Sequence, residues 1–90
     1  MATLTEIRQS IWNKINEIEE ISKDKDKFFD KDYNCTDING YLNLCKKINY
    51  KRGWIVRKIK ELWSKVYNGP MPTYNYNYCD YLADFRRFLN

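Results

Sequence analysis

The sequence has no histidine, only three glycines, two prolines and three cysteines, and no long apolar run in its 90 residues. Each shortage excludes something. Without histidine, the commonest general base and metal ligand is missing. Gly40, Gly53 and Gly69 stand alone, so no glycine-rich loop is present to cradle a phosphate. Cys35, Cys45 and Cys79 lie 10 and 34 residues apart with no C-x-x-C pair, which leaves a zinc site without support. An odd number of cysteines without a secretory signal reads as free thiols, with Cys45 expected in the core. No stretch approaches the ~20 apolar residues that cross a bilayer. The opening "MATLTEIRQS" lacks the basic-then-apolar pattern of a signal peptide. The expectation is a cytoplasmic protein with no membrane partner. Asp80 and Asp84 form a carboxylate pair at i, i+4, but no nucleophile accompanies them. A non-enzymatic protein with no cofactor is therefore expected.

The chain does have apolar and aromatic residues in quantity, 43% and 17%, enough to argue for a folded globule over a disordered chain. Its length allows one domain, residues 1–90. The net charge of +4 is unevenly spread. Residues 1–45 carry six Lys/Arg and nine Asp/Glu, net −3; residues 46–90 carry ten and three, net +7. Such asymmetry points to a polyanionic partner on one side of the molecule, or to a basic face that keeps the protein dissolved.

Apolar periodicity supplies the fold class. Thr3 and Glu6 form a capping-box pattern ahead of Leu4, Ile7, Ile11, Ile15, Ile18 and Ile21, whose spacings of three and four make one helical stripe. A helix is expected over about 4–23, packed within the molecule. "SKDKDKFFDKDYNCTDING" has no apolar face and reads as a surface connection pinned by Phe28 and Phe29. Within it, Asp30, Asp32, Asn34 and Thr36 alternate as at the start of an EF-hand loop. Cys35 stands where that loop needs glycine, and Tyr41 where it needs glutamate. No metal is expected, and Thr36 or Asp37 reads as the cap of the next helix. That helix is expected over 38–48, with Ile38, Leu42, Cys45 and Ile48 on one face and Gly40 weakening its start. A turn at "NYKRG" and a third helix over 52–67 follow, its stripe Ile55, Ile59, Leu62, Trp63 and Val66. "NGPMP" stops it, with Asn68 or Gly69 as cap. After an extended aromatic approach, a fourth helix is expected over 76–89. The whole predicts an all-α, single-domain bundle of about four helices.

The segment "KKINYKRGWIVRKIKELW" gathers seven basic residues and two tryptophans in 18 positions. With the core stripe of the third helix turned inward, Trp54, Arg57, Lys58, Glu61 and Lys65 are expected on the opposite face. Lys47, Lys51 and Arg52 belong to the preceding turn, beside the free amides of a helix start that would favour phosphate. Lys46, Lys47, Lys51, Arg52, Arg57, Lys58 and Lys65 are thus candidate phosphate contacts. Trp54 is a candidate to stack on a base, or else packs back over the second helix.

The two helices resemble a helix-turn-helix. Leu44 and Cys45 take buried positions, Ile48 precedes the turn, Asn49 takes the left-handed position, and Ile55 is buried in the second helix; Lys58 departs from an apolar position. Residues 48–62, "INYKRGWIVRKIKEL", also resemble the Gly-Tyr-Lys-x-Gly-Trp segment, followed by a basic helix, that is appended to some bacterial and phage superfamily II helicases. Tyr50, Lys51, Gly53, Trp54, Lys58 and Lys60 match; Asn49 departs from its first glycine, and Ile55 and Val56 from its aromatic positions. The resemblance covers about 15 of the 90 residues. It implies a nucleic-acid setting, DNA or RNA, with no helicase motor in this chain. A second reading, from a different class, is a protein-interaction module, such as a phage-type inhibitor or accessory subunit of a nucleic-acid enzyme. It would use Tyr74, Tyr76 and Tyr78 of the tyrosine-rich C-terminal segment, since a rigid ring with a polar tip suits interfaces.

Overall fold

The computed structural model describes residues 3–89, and these are mostly helical with no strand among them. The fold is all-α, with three helices: α1 (Leu4–Ser22), α2 (Ile38–Tyr67) and α3 (Tyr78–Asp84), the last continued by a widened π-type turn, Phe85–Leu89. The Thr3 side chain accepts a hydrogen bond from the Glu6 amide and starts α1 as its sequence predicts. Ile7, Ile11, Ile15 and Ile18 are buried along one stripe, while Leu4 and Ile21, at its ends, are only partly covered.

The second and third expected helices are one. α2 runs unbroken for 30 residues through "NYKRG", and its core residues explain why. Leu44, Ile48, Ile55, Ile59 and Leu62 are buried. The seven residues between Ile48 and Ile55 turn the helix through about 700°, within about 20° of two full turns. The two expected stripes are therefore in phase, and one straight helix buries both against α1. A turn at Asn49 would have broken that register. The helix-turn-helix is accordingly corrected: Asn49 is helical, and only Tyr33, Asn68 and Asn75 among the described non-glycine residues have positive φ. The helix start expected near Arg52 is also absent, so the amides there are engaged within α2. Ile38 and Leu42 are about half exposed, and Cys45 is partly covered instead of core, because α1 ends before it reaches them.

Asp37 caps α2, its carboxylate accepting from the Gly40 amide at 3.0 Å. A Cβ on Gly40 would collide with the Asp37 carboxylate and the Phe28 ring, so this glycine permits a close approach. The connection from α1 is a 3₁₀ segment, Lys23–Phe28, and a small loop closed by an antiparallel bridge between Phe29 and Cys35. Asp30 Oδ1 accepts from the amides of Asp32 and Asn34, both at 2.9 Å, which makes this carboxylate a turn-former. Phe28 and Phe29 meet the Tyr41 ring edge to face, over the end of α2 that α1 leaves uncovered.

Cross-helix contacts set the directions. Lys51 pairs with Glu17 and Lys14 lies over Trp54, so α1 and α2 are antiparallel. Arg52 lies over Tyr78, Lys60 over Tyr81, and Trp63 packs on Phe88, so α3 runs parallel to α2. Asn68, left-handed at φ 54°, ends α2. Residues 68–77 then travel back along the bundle to begin α3 beside Arg52, some 15 residues or about 22 Å down α2. The expected extended approach is interrupted: Tyr74 and Asn75 form a turn, closed by a hydrogen bond from the Tyr76 amide to the Thr73 carbonyl at 3.2 Å, with Asn75 left-handed at φ 58°. Asn77 caps α3 in a reciprocal capping box with Asp80, two residues later than the expected start. α3 seats Tyr81, Phe85 and Leu89 in the core.

Candidate nucleic-acid interface

On α2, with Ile55 pointing at the core and 100° per residue, Lys51 and Lys58 lie about 40–60° to one side, and Lys47, Trp54, Lys65 and Glu61 about 80–120° to the same side. They form the flank of α2 that meets α1. The face opposite the core carries Lys46, Tyr50, Gly53, Arg57 and Ser64 instead. The expected grouping of Trp54, Arg57, Lys58, Glu61 and Lys65 on one outward face is thus corrected: only Arg57 is there. Ile59 and Val66 stand at one edge of the core stripe, so the face opposite them was displaced by tens of degrees.

Trp54 is half-buried against the core. The ammonium groups of Lys14 and Lys58 stand 4.9 and 5.7 Å from its ring centroid. Its remaining edge lines a shallow recess of about 220 Å³ with Ser10, Asn13, Lys14 and Glu17. This ring ties α1 to α2. Trp54→Ala is expected to lower stability by about 2–3 kcal/mol, below the range for a fully buried tryptophan. A melting curve beside an oligonucleotide titration checks it: the melting point falls, and affinity in the folded fraction stays close to that of the unaltered protein.

Two glutamates neutralise much of the basic flank. Glu17 is paired with Lys51 at 3.0 Å and Lys14 at 3.4 Å. Glu61 is paired with Lys58 at 3.1 Å and Lys65 at 3.7 Å. The hydrogen bond from Lys51, then that from Lys14, holds the Glu17 carboxyl below its ordinary value of 4.5; Lys58 does the same for Glu61. Both carboxylates are therefore ionised at neutral pH. Because their folded-state values are depressed, whatever stability the pairs contribute is present above the ordinary carboxylate range and is lost as pH falls through the folded values. These are exposed or part-exposed pairs, and their main effect is on the field outside the protein.

Arg52 turns to the other flank. Its guanidinium centre stands 5.1 Å from the Tyr78 ring, and its Nε is buried without a hydrogen-bond partner. It packs under the first turn of α3 and is separated from the lysines. Lys46, Lys47 and Arg57 are exposed and make no ion pair among the described residues. Between the ends of α1 and the middle of α2 lies an open recess of about 520 Å³, lined by Ile21, Lys46, Lys47, Tyr50 and Lys51. Tyr50 matches the helicase-appendage pattern but is not among the candidate contacts expected above. Its signal was present: with Lys46 four residues back, Lys47 three back and Lys51 next, one unbroken helix puts them on a single turn.

Of the three tail tyrosines, Tyr74 is 90% exposed. Tyr76 is part-buried, donates its hydroxyl to Asp84 Oδ2 at 2.6 Å and packs edge to face on Tyr81. That hydrogen bond to a carboxylate raises its pKa. Tyr78 sits beneath Arg52, and burial raises its pKa against the opposing effect of that cation. Two of the three therefore fasten the returning segment to its own domain.

No protein-family model, curated protein or solved structure matches this chain. Among the described residues, no helix is long and apolar enough to cross a membrane, and no group of three or more Cys, Asp or Glu could hold a metal ion.

Proposed function

We propose that this protein is a small, non-enzymatic nucleic-acid-binding protein, and that it binds through the basic surface of α2 between residues 46 and 65. One observation carries the reading. Lys46, Lys47 and Arg57 stand exposed and unpaired on a rigid helix, while nearby lysines are held by Glu17 and Glu61. Unpaired cations on a fixed element attract a polyanion without the cost of breaking an internal ion pair first. The sequence likeness to the helicase appendage points the same way. Here, however, Tyr50–Trp54 lies inside a helix instead of ahead of one.

The contacts divide by their existing partners. Lys46, Lys47 and Arg57 bind phosphate directly. Lys51, Lys58 and Lys65 contribute less, each sharing a glutamate, and Arg52 and Trp54 serve the scaffold. Lys47→Ala or Arg57→Ala should weaken binding of every oligonucleotide and make the log–log salt slope shallower by about 0.7–0.9, one phosphate's worth. Lys58→Ala should change it less. If Lys58→Ala weakened binding as much as Lys47→Ala, the division would be wrong. The protein-interaction reading keeps less support, because Tyr76 and Tyr78 are engaged within the domain and only Tyr74 is offered to a partner.

A further inference from the structure

Tyr50 is 74% exposed in the middle of a long, well-packed helix. Among the described residues no ring contact or hydrogen bond engages it. It does not hold the fold together, yet it forms one wall of the recess at the end of α1. The lysines that share its turn differ in state. Lys51 is committed to Glu17, while Lys46 and Lys47 are free to receive a charge from outside. Ile21, half-buried, supplies an apolar surface in the same recess. The combination is an aromatic face and an aliphatic side chain for a flat apolar group, with two cations beside them for an anion. Its volume, about 520 Å³, falls within the roughly 300–1,000 Å³ of small-ligand clefts.

We infer that this recess takes a nucleotide of a single strand, its base stacked on Tyr50 against Ile21 and its phosphate between Lys46 and Lys47. The inference rests on the nucleic-acid reading and narrows it. Phosphate contacts alone do not distinguish duplex from single strand, because both carry the same backbone charge. A stacking wall does distinguish them. In a duplex, base faces are covered by their neighbours; a single strand can turn one out onto an aromatic ring, with little dependence on sequence. Lys46 and Lys47 stand one turn before Tyr50, at the distance of helical neighbours, so base and phosphate of one nucleotide can be met together.

The test compares a labelled DNA strand of about 12 nucleotides, within the usual range of single-strand site sizes, with its blunt duplex at one low salt concentration. The unaltered protein should bind the strand more tightly. Tyr50→Ala should weaken strand binding by about 5- to 150-fold, leave its salt slope unchanged, and leave duplex binding alone. Tyr50→Phe, which keeps the ring, should retain strand affinity. Both variants should melt with the parent, because the side chain is exposed. Equal binding of strand and duplex, with Tyr50→Ala silent, would overturn the inference while leaving the nucleic-acid reading intact. Failure to bind either probe would overturn both.

Discussion

Phe85→Ala is expected to lower stability by about 3–5 kcal/mol, the range for truncating a buried aromatic ring. Phe85 has no solvent exposure and packs against Trp12 of α1, ring centroids 5.4 Å apart. It lies where α3 passes into its widened last turn, between Tyr81 and Leu89. α3 is too short to be helical by itself and exists because this face docks into the groove between α1 and α2. In a domain of this size each 1 kcal/mol is worth about 4–8 °C, so thermal unfolding should shift by more than about 10 °C. A shift under about 4 °C would mean that α3 is not seated on the other helices.

The second large effect concerns Gly53, which stands near the middle of α2 on its outer face. Gly53→Pro should cost about 3 kcal/mol or more, by removing an i→i−4 hydrogen bond and driving the ring into the preceding turn. Gly53→Ala should do the reverse and stabilise by about 0.5–1 kcal/mol, because a Cβ there meets nothing within 4 Å and helix interiors favour alanine. The pair separates one helix from two. With a turn at Asn49 and a helix beginning at Arg52, Gly53 would sit in a first turn, where proline is tolerated. Denaturant unfolding of both variants checks this. A neutral proline together with a destabilising alanine would restore the two-helix arrangement.

Much of the fold was legible. The isoleucine stripe and Thr3 mark α1 almost to the residue, and "NGPMP" marks the end of α2 at Asn68 or Gly69, of which Asn68 is the left-handed cap. Glycine and asparagine at "NYKRG" suggest a break, but the phase of the apolar stripe outweighs them and α2 continues. Ile48 and Ile55 were each assigned to a core stripe, and the seven-residue step between them already joined the stripes. The start of α3 was missed by two residues, although Asn77 and Asp80 carry the capping-box pattern. The site was less legible. Which lysines are free depends on Glu17, some 34 positions from Lys51, and that pairing follows only from the antiparallel register of α1 and α2. The role of Arg52 depends likewise on the returning segment that brings Tyr78 beneath it. Long-range pairings of this kind leave no periodic trace in a sequence.

Seven basic residues as contacts would neutralise about five phosphates and give a slope of log affinity against log salt of roughly −3.5 to −4.5. Of those seven, Lys46, Lys47 and Arg57 are the ones both exposed and without an ion pair among the described residues; with these as contacts about three phosphates remain, and the slope becomes roughly −2 to −3. The most direct measurement is therefore titration of the unaltered protein against one labelled single strand, from about 50 mM salt upward. Binding is expected at the lowest salt, with a straight log–log decline of slope about −2, the single-strand value for three phosphates. No binding at about 50 mM salt, or an affinity indifferent to salt, would contradict it, because a complex held by phosphate contacts must release counterions when it forms.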